Sequence, residues 1–274
     1  MRTESASAKR NTSGLRPITL LTDFGLDDVY VGVMKGVIAG IAPGVPVIDI
    51  THGIAPQDVE QGGRRWAAAV GFFPPGSIHV AVVDPGVGSG RAILAARGRQ
   101  MTFLAPDNGL LDFVLPRAAV EELVSVENRR CFLEEPSRTF HGRDIFAPVA
   151  ARLSLGFPLR KLGPAVREYR PAGLKPVRRR TTRGGEWLIG EIVDVDKFGN
   201  CITNIPAGPF GALKEIRAGR WRFKTLASSY SSARSGKPLA IVGSQGLVEI
   251  SVNRGRADHL PGLARGGRVT ALYS

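Results

Sequence analysis

Apolar and polar positions follow two periods along the first half of the chain. Ile18–Thr22 is a short apolar run ending in the polar loop Asp23-Phe24-Gly25-Leu26-Asp27-Asp28. Val29–Ile41 carries apolar residues at helical spacing and meets a stop signal at Pro43-Gly44. Val45–Ile50 predicts a buried strand, Asp58–Phe72 a helix opened by Pro56, and Ile78–Val83 a third strand. Through Val83 the pattern is β-α-β-α-β, that of a parallel sheet covered by helices. Ala92–Ala96 and Met101–Ala105 predict strands around a turn at Gly98. Gly109–Leu115 predicts a short helix, and Ile145–Leu155 an amphipathic helix after the loop Phe140-His141-Gly142-Arg143-Asp144.

After residue 183 the pattern changes. Trp187–Val195, Cys201–Ile205, Ile216–Phe223, Leu239–Val242, Leu247–Val252 and Arg268–Leu272 are short, rich in β-formers and broken by Gly or Pro. The fold class expected is therefore α/β: an N-terminal parallel-sheet α/β domain over 17–170, then a smaller C-terminal β-barrel-like domain over 186–274. Residues 1–16 read as a loose polar tail and 171–185 as a linker, with Arg178-Arg179-Arg180 exposed in it.

Composition narrows the classes. Apolar residues make up 43% and charged residues 22% of the 274, the balance of a globular domain rather than of a disordered chain. Neither a signal-peptide core nor a membrane-crossing run is present, so a cytoplasmic protein without a membrane partner is expected. Cys131 and Cys201 lie far apart, in no metal-ligand spacing, and read as buried apolar residues. The net charge is +13, yet residues 1–159 balance 16 basic against 16 acidic side chains. The excess lies in 160–183 and in 211–274, each at +8. No nucleic-acid motif accompanies it, so a solvated Arg-rich exterior is expected and no nucleic-acid partner.

In open α/β sheets ligands bind beyond the carboxyl ends of strands. Asp23 and Asp84 each follow an apolar run and should be carried there. A capping or turn-forming role would explain either alone; the two together, with their Gly-rich turns, point to a site. DPGVGSGR is no dinucleotide or phosphate loop, because a strand rather than a helix follows and no GxxxxGK[ST] lysine is present. His141 sits in FHGRD between a polar loop and a helix, where a core histidine is less natural, and His52 also follows a strand end. His79, inside a strand, and His259 receive no function. The acids are scattered and no HExxH occurs, so no metal site is expected. Asp196-Lys197-Phe198-Gly199-Asn200 puts an acid, an aromatic ring and an amide in one turn. Such a set can stack on a purine and read its edge, although taken alone a plain β-turn explains it better.

Seven segments then occur together and in order: TDFGLDDVYVGVMKG (22–36), THGIAPQDVEQGG (51–63), VVDPGVGSGR (82–91), APDNGLL (105–111), TFHGRDIFAP (139–148), DKFGNCITNI (196–205) and VEISVN (248–253). In this they resemble the adenosine-forming S-adenosyl-L-methionine (SAM) hydrolases, or SAM hydroxide adenosyltransferases, relatives of the fluorinases and chlorinases. The resemblance implies an N-terminal α/β domain, a C-terminal β-barrel and a homotrimer with sites between neighbouring subunits. It implies conversion of SAM and water to adenosine and L-methionine, with SAM as substrate and no cofactor.

By motif the resemblance places a catalytic set on Asp84, Arg91 and His141 and a ribose-binding carboxylate on Asp23. It places adenine and methionine contacts on Asp196, Phe198 and Asn200, and further substrate contacts on Asn108, Ser251 and Asn253. The halogenating relatives carry tyrosine for the acid of the DPGVG turn, Thr where Val87 stands, and Tyr-Ser where His141-Gly142 stand. The hydrolase is therefore the expected activity, with halide transfer or non-catalytic SAM or adenosine binding as the alternatives.

Overall fold

The computed structural model describes residues 16–208 and 210–274, in two compact units that divide between Gly173 and Leu174. The tail expected over 1–16 lies outside the described residues save for Arg16.

The N-terminal unit is a six-stranded sheet between helices. Its strands are β1 (Ile18–Thr22), β2 (Val47–Thr51), β3 (Ile78–Val82), β4 (Ile93–Gly98), β5 (Met101–Pro106) and β6 (Glu122–Ser125), in the order β2-β1-β3-β5-β4-β6. Pairings β1–β2, β1–β3 and β3–β5 are parallel, whereas β4 runs antiparallel to both β5 and β6. The sheet is thus mixed where a parallel one was expected. The cause is local: Arg99 and Gln100 both adopt positive φ, 52° and 61°, the twist a two-residue hairpin needs. β2 is also not the buried strand anticipated. It is an edge strand with Ile48 exposed, because no strand among the described residues covers its outer side.

Helix α1 (Tyr30–Ile41) buries Val31, Met34 and Ile38, one face at helical spacing. It packs with α4 (Ala147–Ser154) on one side of the sheet, over Ile18, Leu20, Val80 and Leu104. Helix α2 (Val59–Val70) starts at Asp58, whose carboxylate accepts from Gln61 N at 2.9 Å and so satisfies one of the free N–H groups of the first turn. It packs with α3 (Leu110–Val114) on the opposite side, over Leu21, Ala81, Val83 and Phe103. A Cβ at Gly63 would stand 2.1 Å from the Phe113 ring, so only glycine lets α2 and α3 meet. β1 is followed by α1 on one face and β2 by α2 on the other, so the chain reverses direction at the β1/β3 pair. That is the switch point at which such sheets open a crevice.

The C-terminal unit is a nearly closed, barrel-like antiparallel sheet. It holds β7 (Arg178–Thr182), β8 (Gly185–Val195), β9 (Cys201–Pro206), β10 (Leu213–Ala218), β11 (Trp221–Phe223), β12 (Pro238–Val242), β13 (Leu247–Val252) and β14 (Arg268–Tyr273). Two expectations change here. Residues 171–185 are not a bare linker, because Arg178–Thr182 pair with Gly185–Ile189 around a tight turn. Ile216–Phe223 is not one strand but a hairpin, bent at Gly219 with φ 55°. Alternation sends Leu188, Ile192, Val248, Ile250, Val269 and Ala271 into the core.

Candidate active site

β1 and β3 lie side by side, with Thr22 opposite Val82, and deliver Asp23 and Asp84 to neighbouring positions beyond the sheet edge. Both line a cavity of about 310 Å³, together with Phe24, Tyr30, Gln57, Val87 and His141. Three of the residues singled out in the sequence, from loops more than fifty residues apart, therefore share one space.

Each is held by its own surroundings. The Asp84 carboxylate, only 4% exposed, accepts from Gly86 N at 2.9 Å through Oδ1 and from the Arg91 guanidinium through Oδ2. A buried carboxylate without such partners would cost several kcal/mol, so the guanidinium is what lets Asp84 stand there. Arg91 approaches from outside the cavity and also donates to Ala92 O at 3.2 Å. Together with Asn108 it lines a separate cavity of about 720 Å³. Asn108 is turned toward the protein: its Nδ2 donates to Val83 O at 2.8 Å, which fixes the end of β3. Asp23 Oδ2 accepts from Gln57 N at 2.7 Å. Gln57 adopts φ 65°, a left-handed conformation uncommon for a residue with a side chain, and this aims its N–H at the carboxylate.

His141 opens a π-helical turn (Gly142–Phe146) that runs into α4. Such turns widen a helix and recur at functional sites. The anchor is Asp144, fully buried, which accepts from Arg143 Nε at 2.6 Å and from Ser137 N and Oγ at 2.9 and 2.7 Å. Burial alone would raise the Asp144 carboxyl; the bonds from Arg143 and Ser137 outweigh it and hold the group below its ordinary value. Ser137 in turn receives Phe140 N at 3.0 Å, so Asp144 fixes the loop that presents His141. Phe140 packs edge-on against Phe24 and Tyr30, which are tilted against each other, with centroids 5.0–5.8 Å apart, and the three form an aromatic wall. A Cβ at Gly142 would press on Phe24, Phe140 and Met34 at 3.1 Å each. The sequence reading passed over Tyr30, Gln57 and Asp144. Its available signals were the aromatic after Asp27-Asp28 and the acid completing HGRD.

The other histidines divide cleanly. His52 is buried and does not line the cavity. His79 is a core residue at 0% exposure, bonded to Thr19 Oγ1 at 2.8 Å, and burial pushes its pKa down to about 4.

In the C-terminal unit, Asp196, Phe198 and Asn200 share one turn. Asp196 Oδ1 accepts from Phe198 N and Asn200 N, both at 2.9 Å, and Oδ2 accepts from Asn200 Nδ2 at 2.8 Å. The turn leaves the Phe198 ring 64% exposed, a large apolar surface open to contact. Beside it stands Glu249, which the sequence reading missed. It is buried, its carboxyl pushed up by burial and by Asp196, with Tyr230 Oη at 3.4 Å. Ser251 lies two positions further along β13, and its buried Oγ has no partner among the described residues. Asn253 Nδ2 donates to Ala233 O at 2.7 Å.

The basic excess also takes a form. Cross-strand register puts Arg178, Arg180, Trp187, Ile189, Arg217, Arg222, Arg268 and Thr270 on the outer face of the sheet β7-β8-β14-β10-β11. Among the described residues no group of three His, Cys, Asp or Glu side chains is placed to hold a metal ion. Nor is any helix among them long and apolar enough to cross a membrane.

Comparison with known proteins extends the geometry. The profile of the SAM hydroxide adenosyltransferase N-terminal domain matches residues 18–163, and that of the C-terminal domain matches 190–270. The chain belongs to the SAM hydroxide adenosyltransferase family. Within this family it is 39% identical to the (R)-S-adenosyl-L-methionine hydrolase of Thermus thermophilus, over 94% of this chain and 100% of that one. It is 40% identical to the protein of the same name from Salinispora arenicola, over 93% and 97%. It is also similar to the fluorinase of Actinoplanes sp., 31% identical over 69% of this chain and 71% of that one. A crystal structure of an uncharacterized conserved protein from Thermotoga maritima superposes with a TM-score of 0.83 at 38% identity, covering 93% of this chain and 99% of that one. The two SAM hydroxide adenosyltransferase domains correspond to the α/β unit and the barrel-like unit described above.

Proposed function

We propose that this chain hydrolyses SAM to adenosine and L-methionine by attack of water on C5′. The sulfonium makes C5′ electrophilic, and the leaving methionine sulfide is neutral and needs no acid. The nucleophile is the difficulty, since water is weak and hydroxide scarce near neutral pH. A site for this reaction must hold one water in line with the C5′–S bond and draw off its proton. The observation that carries the reading is the buried Asp84, fixed by Arg91 and Gly86, in one cavity with His141 and Asp23.

In this reading Asp84 and His141 orient the water and take its proton, and Arg91 keeps the Asp84 carboxylate in place. Asp23 accepts the two ribose hydroxyls. Phe198 stacks on adenine, Asn200 reads its edge, and Asp196 meets the methionine ammonium. Asn108 supports the end of β3, while Ser251 and Asn253 serve the methionine end. SAM is the substrate and no cofactor enters the reaction. The family resemblance adds a homotrimer with the sites completed by neighbouring subunits, and we take the protein to be cytoplasmic. A halide ion would need stripping of its water rather than a base, and it would meet a carboxylate at Asp84. Incubation with SAM and an excess of chloride or fluoride tests this. Adenosine as the sole nucleoside product is expected, and a 5′-halo-5′-deoxyadenosine would overturn the reading.

A further inference from the structure

Behind the cavity runs a chain of polar groups that touches no cavity wall except through Asp23 and Phe24. Lys35 Nζ donates to Asp49 Oδ2 at 2.6 Å. Asp49 Oδ1 faces His52 Nε2 at 3.1 Å, somewhat out of line for a good hydrogen bond. His52 Nδ1 lies 2.8 Å from Thr22 Oγ1, and that oxygen accepts from Phe24 N at 3.2 Å. The His52 carbonyl accepts from Gly25 N at 2.9 Å. Thus His52 grips the Thr22-Asp23-Phe24-Gly25 turn at both ends, while Asp23 is the residue between them that faces the cavity.

The order of donors follows from chemistry. A carboxylate opposite Nε2 favours the proton on that nitrogen, which leaves Nδ1 to accept from the Thr22 hydroxyl. The Thr22 oxygen then keeps its lone pairs for Phe24 N–H. Asp49, His52 and Thr22 stand in the order of an acid–base–nucleophile triad. Thr22, however, is fully buried and does not line the cavity, so the assembly has no access to a substrate. The register of β1 with β2 slips between Leu20 and Leu21, where Ile50 is the extra residue. This local irregularity brings Asp49 and His52, three positions apart, to the same side of the strand.

We propose that His52, oriented by Asp49 and acting through Thr22, is a positioning residue that sets the Asp23 carboxylate for the ribose hydroxyls of the substrate. It rests on the ribose-binding reading of Asp23 given above. A carboxylate accepts two vicinal hydroxyls only within a narrow range of angle and distance, and among the described residues the turn bearing Asp23 has no other side-chain tie at Thr22.

The test compares adenosine with 2′,3′-dideoxyadenosine in calorimetric titrations of the full-length protein. The wild type should prefer adenosine, and Asp23→Ala should erase that preference. His52→Ala and Thr22→Val should each reduce the preference about tenfold, with binding of the dideoxy compound unchanged. His52→Asn, whose amide oxygen can replace Nδ1, and Thr22→Ser should restore it. A general loss of fold would instead weaken both ligands together. Should His52→Ala not fold, the Thr22→Val and Thr22→Ser pair decides. Wild-type preference in His52→Ala and Thr22→Val, with Asp23→Ala erasing it, overturns this proposal alone. Wild-type preference in Asp23→Ala overturns the ribose reading and the proposal with it.

Discussion

In the N-terminal unit the charges that matter stand at a strand end or a helical turn, few and buried, each with a partner: Asp84 with Arg91, Asp144 with Arg143 and Ser137. In the C-terminal unit the charges are many and stand on a sheet face. Arg178, Arg180, Arg217, Arg222 and Arg268 project from neighbouring strands, with Glu215 pairing Arg217 and Arg222 and Glu191 opposite Arg268. Net charge marks the second region, whereas the cavity with the convergent groups lies in the first, whose sequence to residue 159 is neutral. A charge taken out of water must be compensated locally, and that compensation fixes its position. A charge left in water is worth little wherever it points. The number of charges therefore says little about chemistry, and the number of bonds each one makes says much.

The contrast can be broken by substitution. The largest effect is expected at His141→Ala and Asp84→Asn: adenosine release falls by roughly 10²–10⁴-fold, the usual share of a positioned acid or base, while SAM still binds. Asp23→Ala should weaken adenosine binding by about 1.5–3 kcal/mol for a lost charge-assisted hydrogen bond, readable by calorimetry. Asp144→Asn should lower stability near pH 7 by about 1–2 kcal/mol through lost bonds to Arg143 and Ser137, measured by denaturant unfolding. The sign of its pH dependence follows from a folded-state pKa held below the ordinary value of about 3.9. The wild-type advantage is complete above that value and shrinks as pH falls through the folded pKa, so the two unfolding curves should converge in acid. The smallest effect is expected from Arg180→Glu on the basic face: stability within about 0.5 kcal/mol of the parent and an unchanged rate of SAM hydrolysis.

The residues that carry these predictions were legible in the sequence to different depths. Asp23 and Asp84 were visible because a polar residue directly after an apolar run has nowhere to go but the sheet edge, and His141 because a histidine between a polar loop and a helix is unnatural for a core. The β-α-β-α-β run was visible from periodicity alone. The β4–β5 turn was announced by Gly98, but not that β4 enters the sheet antiparallel between β5 and β6 and leaves it mixed, since strand order is not written in any local run. β2 looked buried because its residues are apolar, yet strand order, which decides what lies beside it, is a long-range property. Asp144 and Gln57 escaped notice because their roles are to hold neighbours, and that shows only once the loops are brought together. The strand at Arg178–Thr182 was hidden by its charge, since Arg178, Arg179, Arg180 and Thr181 all stay exposed and leave no apolar stripe.

The central claim is that this cavity aims a water molecule at a carbon activated by positive sulfur. It is tested most directly by turning over SAM in water enriched in oxygen-18 and weighing both products. The account predicts one heavy oxygen in the 5′-hydroxyl of adenosine and none in methionine. Unlabelled adenosine, or label in methionine alone, would contradict it.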